Sequence, residues 1–307
     1  MAQNNLRIIY NNLADVSGNT VSVSSTASAS MTAANLTKDY KSLVWRSAQA
    51  STTVAKTKAI ILVSLANISV VSSVVLAYTN LKVGATVRVT GYTGSAPVIT
   101  AGTVNVPAFT ITGSTQQFDS GTIDVNKPAL LGQFNWGFEE LGPTGNELKQ
   151  NYSVVWLPAA LRIPVKYLVI EITNSDNIDQ YIEVSRLIVG NHWSPQFNTS
   201  YGMEVSYKDT SSTERSEAGD LISINGVQYP TLTFDLAYLS IADRTEFNRM
   251  VNKRGRKLPL FISLFPENTD DPVKEQIYQI YGKLAQSPGI SHPIMDMYSS
   301  QVEIEEI

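Results

Sequence analysis

Between Val165 and Gly190 the chain alternates apolar and polar positions. Leu168, Ile170 and Ile172 interleave with Tyr167, Val169 and Glu171. Beyond an Asn/Asp/Ser-rich connection, Ile182 and Val184 interleave with Tyr181, Glu183 and Ser185. A period of two on both sides of a polar loop predicts strand, loop, strand with at least one buried face. This unit is expected to be the closing pair of a first β domain. Ala59 to Tyr78 carries no charge and is long enough to cross a bilayer as a helix. Its serines, its asparagine and its excess of Val and Ile over Leu predict instead two buried strands that divide near Ala66 and Asn67.

The remaining first half reads in the same way. Leu6 to Tyr10 is a short apolar run. Val21 and Val23 alternate with Ser in a Ser/Thr/Ala tract, and Trp45 is expected to anchor the core. Val87 and Val89 share one strand face, with Gly91 and Gly94 expected to mark a turn. Val104 to Ile111 is a weak strand in which Pro107 implies an edge or a bulge. Phe134, Trp136 and Phe138 recur at period two in a Gly-rich stretch, and Val154 to Leu157 leads into the central unit. About eight short strands before Gly190 is the number a jelly roll needs.

After Asn191 the texture changes. Gly202 to Tyr207 reads as a strand, followed by a hydrophilic stretch from Lys208 to Asp220. Leu232, Phe234 and Leu236 alternate cleanly. A helix is predicted over about 240–254: Ser240 caps it with Asp243 three residues on, Phe247, Met250 and Val251 share a face, and Lys253, Arg254 and Gly255 close it. Leu258 to Phe265 returns to strand. Gln276 to Leu284 has some helical spacing, and Asp271-Pro272 suits a helix start, but the stretch is assigned as strand. Val302, Ile304 and Ile307 end the chain on a strand whose Glu303, Glu305 and Glu306 are expected to oppose edge pairing. The chain is therefore expected to be all-β. Residues 1–190 would form a jelly-roll sandwich, and residues 191–307 a second β-sandwich domain containing one α-helix.

The length of 307 residues suits two domains. Hydrophobic residues make up 43% and charged ones 16%, enough to bury sizeable cores under a surface of Ser, Thr, Asn and Gln. A net charge of −4 gives no global attraction to nucleic acid or to an anionic membrane. Without cysteine, the chain can have neither disulfides nor thiolate chemistry. The first residues lack the pattern of a signal peptide, and a soluble protein without membrane insertion is expected.

Candidate chemistry is sparse. His192 and His292 each precede a proline closely, and no G-x-S-x-G elbow accompanies them. Glu139 and Glu140 are adjacent, so on a strand they would point to opposite faces and could not flank one glycosidic bond. Asn174, Asp176, Asn177 and Asp179 crowd one loop with oxygen ligands but lack the Gly and Glu of a calcium loop; turn chemistry is the preferred reading over a metal site. Lys253, Arg254, Arg256 and Lys257 form a basic run without interleaved aromatics, which argues against a specific nucleic-acid reader. Trp136, Trp156 and Trp193 are candidates for a sugar-stacking surface, with core or interface anchoring as the plainer reading. No catalytic, cofactor or metal residue is assigned, and no enzyme activity is expected.

Several segments together carry a resemblance. They are Val44-Trp45-Arg46-Ser47, the Phe118-Asp119-Ser120-Gly121 turn, Tyr167 to Gly190, Leu232 to Ser240 with the helix after it, Tyr281 to Leu284, and Val302 to Ile307. Their order resembles bacteriophage tail-tip or baseplate structural proteins of the distal-tail type, with an N-terminal discoidin-like (galactose-binding-like) jelly roll. The resemblance implies a virion component, made in the host cytoplasm, that assembles as a homo-oligomer between the tail tube and the baseplate hub or fibres. It further implies that the jelly roll either packs on neighbours or binds a host glycan. The alternative expectation is a carbohydrate-binding adhesion module for host surface glycans.

Overall fold

The computed structural model describes residues 4–48, 58–101, 107–126, 152–174, 179–267 and 271–307. The chain is all-β, with antiparallel sheets and two helices among the described residues. It divides into two compact units. One is Asn11–His192 together with Glu267–Gln276; the other gathers Met1–Tyr10, Trp193–Pro266 and Ile277–Ile307. One boundary between the units falls at His192/Trp193. At the other end, β1 (Arg7–Ile9) pairs with Leu260–Ser263, so the sandwich sequence is inserted between the first strand of the second unit and the rest of it.

The sandwich unit is built from β2 (Thr20–Val23), β3 (Trp45–Arg46), β4 (Lys58–Val70), β5 (Ser73–Thr79), β6 (Thr86–Gly94), β7 (Val98–Ala101), β8 (Pro107–Thr110), β9 (Ser114–Asp124), β10 (Tyr152–Trp156), β11 (Pro164–Thr173) and β12 (Glu183–Gly190). One sheet runs β2-β4-β11-β6-β9 and another β10-β5-β12-β3; β7 and β8 form a separate hairpin. The expected closing pair does not pair. β11 lies between β4 and β6, whereas β12 lies between β5 and β3. Alternation fixes which side chains face the core, but it does not choose the sheet.

Ile61, Val63, Leu168, Ile170, Ile172, Val87 and Val89 on one sheet share a buried core with Val74, Leu76, Val155, Val184, Leu187 and Trp45 on the other. The uncharged stretch forms two strands and no helix. Its division falls at Val71-Ser72, between β4 and β5, rather than near Ala66. The first part of β4 reads as a continuous apolar run because both its faces are covered. Ile61 and Val63 point into the main core, while Ile60 and Leu62 join Tyr92 and Val169 on the other face, under Ile99 of β7 and Phe109 of β8. Gly91 and Gly94 both lie within β6 rather than at a turn before it ends, and Phe118–Gly121 is a bulged part of β9 rather than a free turn.

The second unit contains β13 (Glu204–Asp209), β14 (Ser212–Arg215), β15 (Leu221–Ile224), β16 (Gln228–Leu239), α1 (Ile241–Arg254), β17 (Leu260–Ser263), β18 (Gln279–Leu284), β19 (Ser291–Ile294) and β20 (Met297–Glu306). Its sheet runs β1-β17-β18-β20-β16-β13, with β19 also on β20, and β14–β15 is a separate hairpin. Leu232, Phe234 and Leu236 face inward as expected, beside Val302, Ile304, Ile262 and Leu6. Helix α1 buries Phe247 and Met250 in the same core. Ser240 Oγ accepts from the Asp243 amide at 3.2 Å, and Gly255 at φ +51° receives the chain past the last turn. Strand is found over Gln279–Leu284, while the residues before it form the short helix α2 (Pro272–Ile277). β20 is an interior strand, so its glutamates guard no edge; Glu303 and Glu305 instead meet Lys208 Nζ.

Candidate functional site

The two histidines lie in different units, and each is engaged by neighbours of its own unit. His192 Nδ1 lies 2.9 Å from Ser72 Oγ, which also accepts from the His192 amide at 2.9 Å. The ring meets Trp156 edge-on at 5.3 Å. Ser72 is buried, so this pair ties a strand junction together and offers no accessible nucleophile. His292 stacks on Tyr298 at 4.5 Å; the Arg244 guanidinium lies 4.5 Å from the Tyr298 ring and donates to its hydroxyl at 2.8 Å.

Glu139, Glu140 and Trp136 fall outside the described residues, as do Asp176 and Asn177. Of the same Asx cluster, Asn174 is fully buried and Asp179 accepts a hydrogen bond from Asn80 Nδ2 at 3.1 Å. Among the described residues no group of three or more His, Asp or Glu is placed to hold a metal ion. Of the other two expected stacking tryptophans, Trp156 is buried in the sandwich unit, and Trp193 packs on Phe247 in the other. Of the basic run, Arg254 Nε donates to the Tyr10 carbonyl, while Arg256 and Lys257 are exposed.

Two features that the sequence did not single out are better formed. The first is a tyrosine-rich corner of the sandwich where β3, the end of β5 and the start of β12 meet. The Arg46 guanidinium lies 4.1 Å from the Tyr181 ring centre, and its Nη2 is 2.6 Å from Glu183 Oε2. Asn80 donates to the Tyr181 carbonyl at 2.9 Å and accepts from the Glu183 amide at 2.8 Å, which fixes that edge. Lys41 Nζ sits 4.7 Å over the Tyr78 ring, and Tyr78 leans on Tyr152 with ring centres 5.5 Å apart. Tyr78 adopts φ +55°, a conformation that costs on the order of 1–3 kcal/mol for a non-glycine residue and clusters at functional sites. Ser185 Oγ bonds the carbonyls of Tyr40, Lys41 and Leu43, so the loop carrying exposed Tyr40 is pinned. These residues come from four separated segments, and no local spacing announces them.

Beside β2 lies an open groove of about 430 Å³ lined by Asp15, Ser17, Asn19, Thr20 and Thr37, among others. Its carboxylate pairs with a buried cation. Arg186, 2% exposed, reaches Asp15 at 2.5 Å and Asp39 at 2.8 Å and donates to the Leu36 carbonyl. Burial raises the Asp15 carboxyl above its ordinary value, against the pull of the guanidinium.

The second feature is the hairpin β14–β15. Every residue of both strands is exposed. Leu221, Ile222 and Ile224 are 61%, 54% and 58% open, and Val227 beyond them 70%.

No protein-family model matches the chain, and no curated protein was found to be similar to it. Solved structures show remote likeness. A GH29 fucosidase of Ruminococcus gnavus is 14% identical over 61% of this chain, which spans 27% of that enzyme, with a TM-score of 0.35. Chitosan-binding module 1 of a chitosanase/glucanase from Paenibacillus sp. IK-5 is 17% identical, over 59% of this chain and 99% of the module, at 0.35. The family 32 carbohydrate-binding module of Clostridium perfringens NanJ, solved with galactose, is 14% identical over 60% of this chain and 98% of the module, at 0.33.

Proposed function

We propose that this chain is a structural subunit that assembles with copies of itself in a phage tail tip or baseplate, between the tail tube and the baseplate or fibres. The resemblance of its ordered segments to distal-tail proteins supplies the place. The observation that carries the assembly reading is the bare hairpin. A two-stranded ribbon alone is marginal in water, and a row of exposed aliphatic side chains marks an interaction surface. His192 is engaged by Ser72, and His292 stacks on Tyr298. The test is electron microscopy of the virus particle with antibody or tag labelling of this chain. Label in a ring at the distal end of the tail is the expected result; its absence from the particle overturns the assignment.

A second reading, carbohydrate recognition, is favoured by the tyrosine corner. Tyr78 and Tyr181 present rings beside Arg46, Glu183, Asn80 and Lys41, a set that can stack on a sugar face and bond its hydroxyls. Glycan-array binding by the full chain, lost in Tyr78→Ala and Tyr181→Ala, is its expected outcome. An array without signal removes this reading and leaves the first intact.

A further inference from the structure

The exposed hairpin has charge as well as apolar surface. Its turn and flanks carry Glu214, Glu217 and Asp220 against one cation, Arg215, whose Nη1 donates to the Gly219 carbonyl within the turn. The acidic end runs directly into Leu221 and Ile222. From Glu217 to Gln228 every residue is exposed, so nothing among the described residues covers this strand.

The same unit presents the opposite pattern elsewhere. Past the end of α1, Arg256 and Lys257 are exposed and lead into Leu258, 37% open, before the chain enters β17. With Lys253 and Arg254 in the last helical turn, four cations gather within five residues (253, 254, 256 and 257). Helix-dipole compensation accounts for cations in the last turn, and its effect fades within that turn. Arg256 and Lys257 lie beyond Gly255, where the helix has ended. Two acids followed by the same-face aliphatics Ile222 and Ile224 thus match two bases followed by an aliphatic on another surface.

Resting on the structural-subunit reading, we propose that the β14–β15 hairpin of one copy docks on the α1–β17 junction of the next copy. Glu217 and Asp220 meet Arg256 and Lys257, and Ile222 and Ile224, which share one face of β15, cover Leu258. Hairpin and junction are different surfaces, so the contact is head-to-tail and builds a ring or an open helix rather than a two-fold dimer. Opposed charges set the register and suppress wrong partners, while the aliphatic residues supply the buried area. Because the charges start in water, the contact weakens as salt rises.

The test uses the full chain and three variants: Glu217→Lys with Asp220→Lys, Arg256→Glu with Lys257→Glu, and all four together. Self-association is read by light scattering across concentration at low and high salt, and circular dichroism confirms folding. Each double reversal is expected to weaken association at least tenfold and the fourfold variant to restore it, because the pair is then complementary again with its signs exchanged. Association unchanged by either reversal, or a fourfold variant weaker than both doubles, overturns the docking contact while the subunit reading stands. An unmodified chain that stays monomeric at every concentration overturns both.

Discussion

Gly91 lies directly opposite Phe118, and the ring of Phe118 occupies the space a side chain at Gly91 would need. A Cβ there would meet Phe118 Cε1 at 2.4 Å and Val165 Cγ1 at 2.6 Å. The glycine therefore allows a strand interior to bury an aromatic ring against its backbone. Gly91→Ala is expected to destabilise the sandwich unit by about 1–3 kcal/mol through overpacking. Phe118→Leu in the same chain should recover part of that loss. The urea midpoint of the two variants checks it; a Gly91→Ala chain as stable as the original contradicts the packing described.

Arg186 is the buried charge of the sandwich, held by Asp15, Asp39 and the Leu36 carbonyl. Arg186→Ala leaves two carboxylates without their cation. Since both carboxylates are about one-third exposed, the cost should fall near the low end of the range for broken buried pairs, about 3 kcal/mol. A methionine, which restores the lost volume but not the charge, should recover little. Chemical denaturation separates the two: full recovery by methionine would mean the ion pairs contribute nothing.

The bulge in β9 carries a pH dependence. Arg88 donates to both Asp119 oxygens, at 3.0 and 2.6 Å, and holds the carboxyl below its ordinary value of 3.8. A group depressed in the folded state stabilises the fold above its unfolded pKa and loses that stabilisation as pH falls through the folded value. The window is therefore below about pH 4. Arg88 is 45% exposed, so screening limits the contribution to about 0.5–1 kcal/mol. Asp119→Asn should be less stable at neutral pH by that amount, and the difference should shrink as the pH is lowered below about 4. A difference that grows on acidification would contradict the sign.

Ser240 closes the N-terminus of α1, and Asp243 answers by accepting from the Ser240 hydroxyl at 2.7 Å. Ser240→Ala is expected to cost about 1 kcal/mol, and Ser240→Thr, which keeps the hydroxyl that both accepts and donates, much less. Thermal unfolding of the pair distinguishes loss of the cap from loss of packing, because neither change touches the Phe247 side of the helix.

The cap of α1 was legible in the sequence because its signals are local: a serine, an acid three residues on, apolar residues on one face and a closing glycine. Trp45 and the inward set Leu168, Ile170 and Ile172 were legible for the same reason. Partner choice was not. The alternation in β11 and β12 says which side chains are buried, but the decision to place them in opposite sheets belongs to the whole sandwich. Gly91 read as a turn because a glycine needed for close approach and one needed for a turn look alike in sequence. The tyrosine corner gathers Tyr78, Lys41 and Tyr181 from three stretches and was invisible for want of any short-range pattern. Hydrophilicity hid the hairpin too: residues 208–220 looked like solvated loop, and the aliphatic run Leu221 to Val227 gained meaning only once it was seen to be uncovered.

Self-assembly is the claim on which the functional reading stands, and particle mass tests it most directly. Light scattering on the purified full chain, from low to high micromolar concentration, should give a mass several times the 33.6 kDa of one copy, falling on dilution or in high salt. A single species at 33.6 kDa throughout would contradict it.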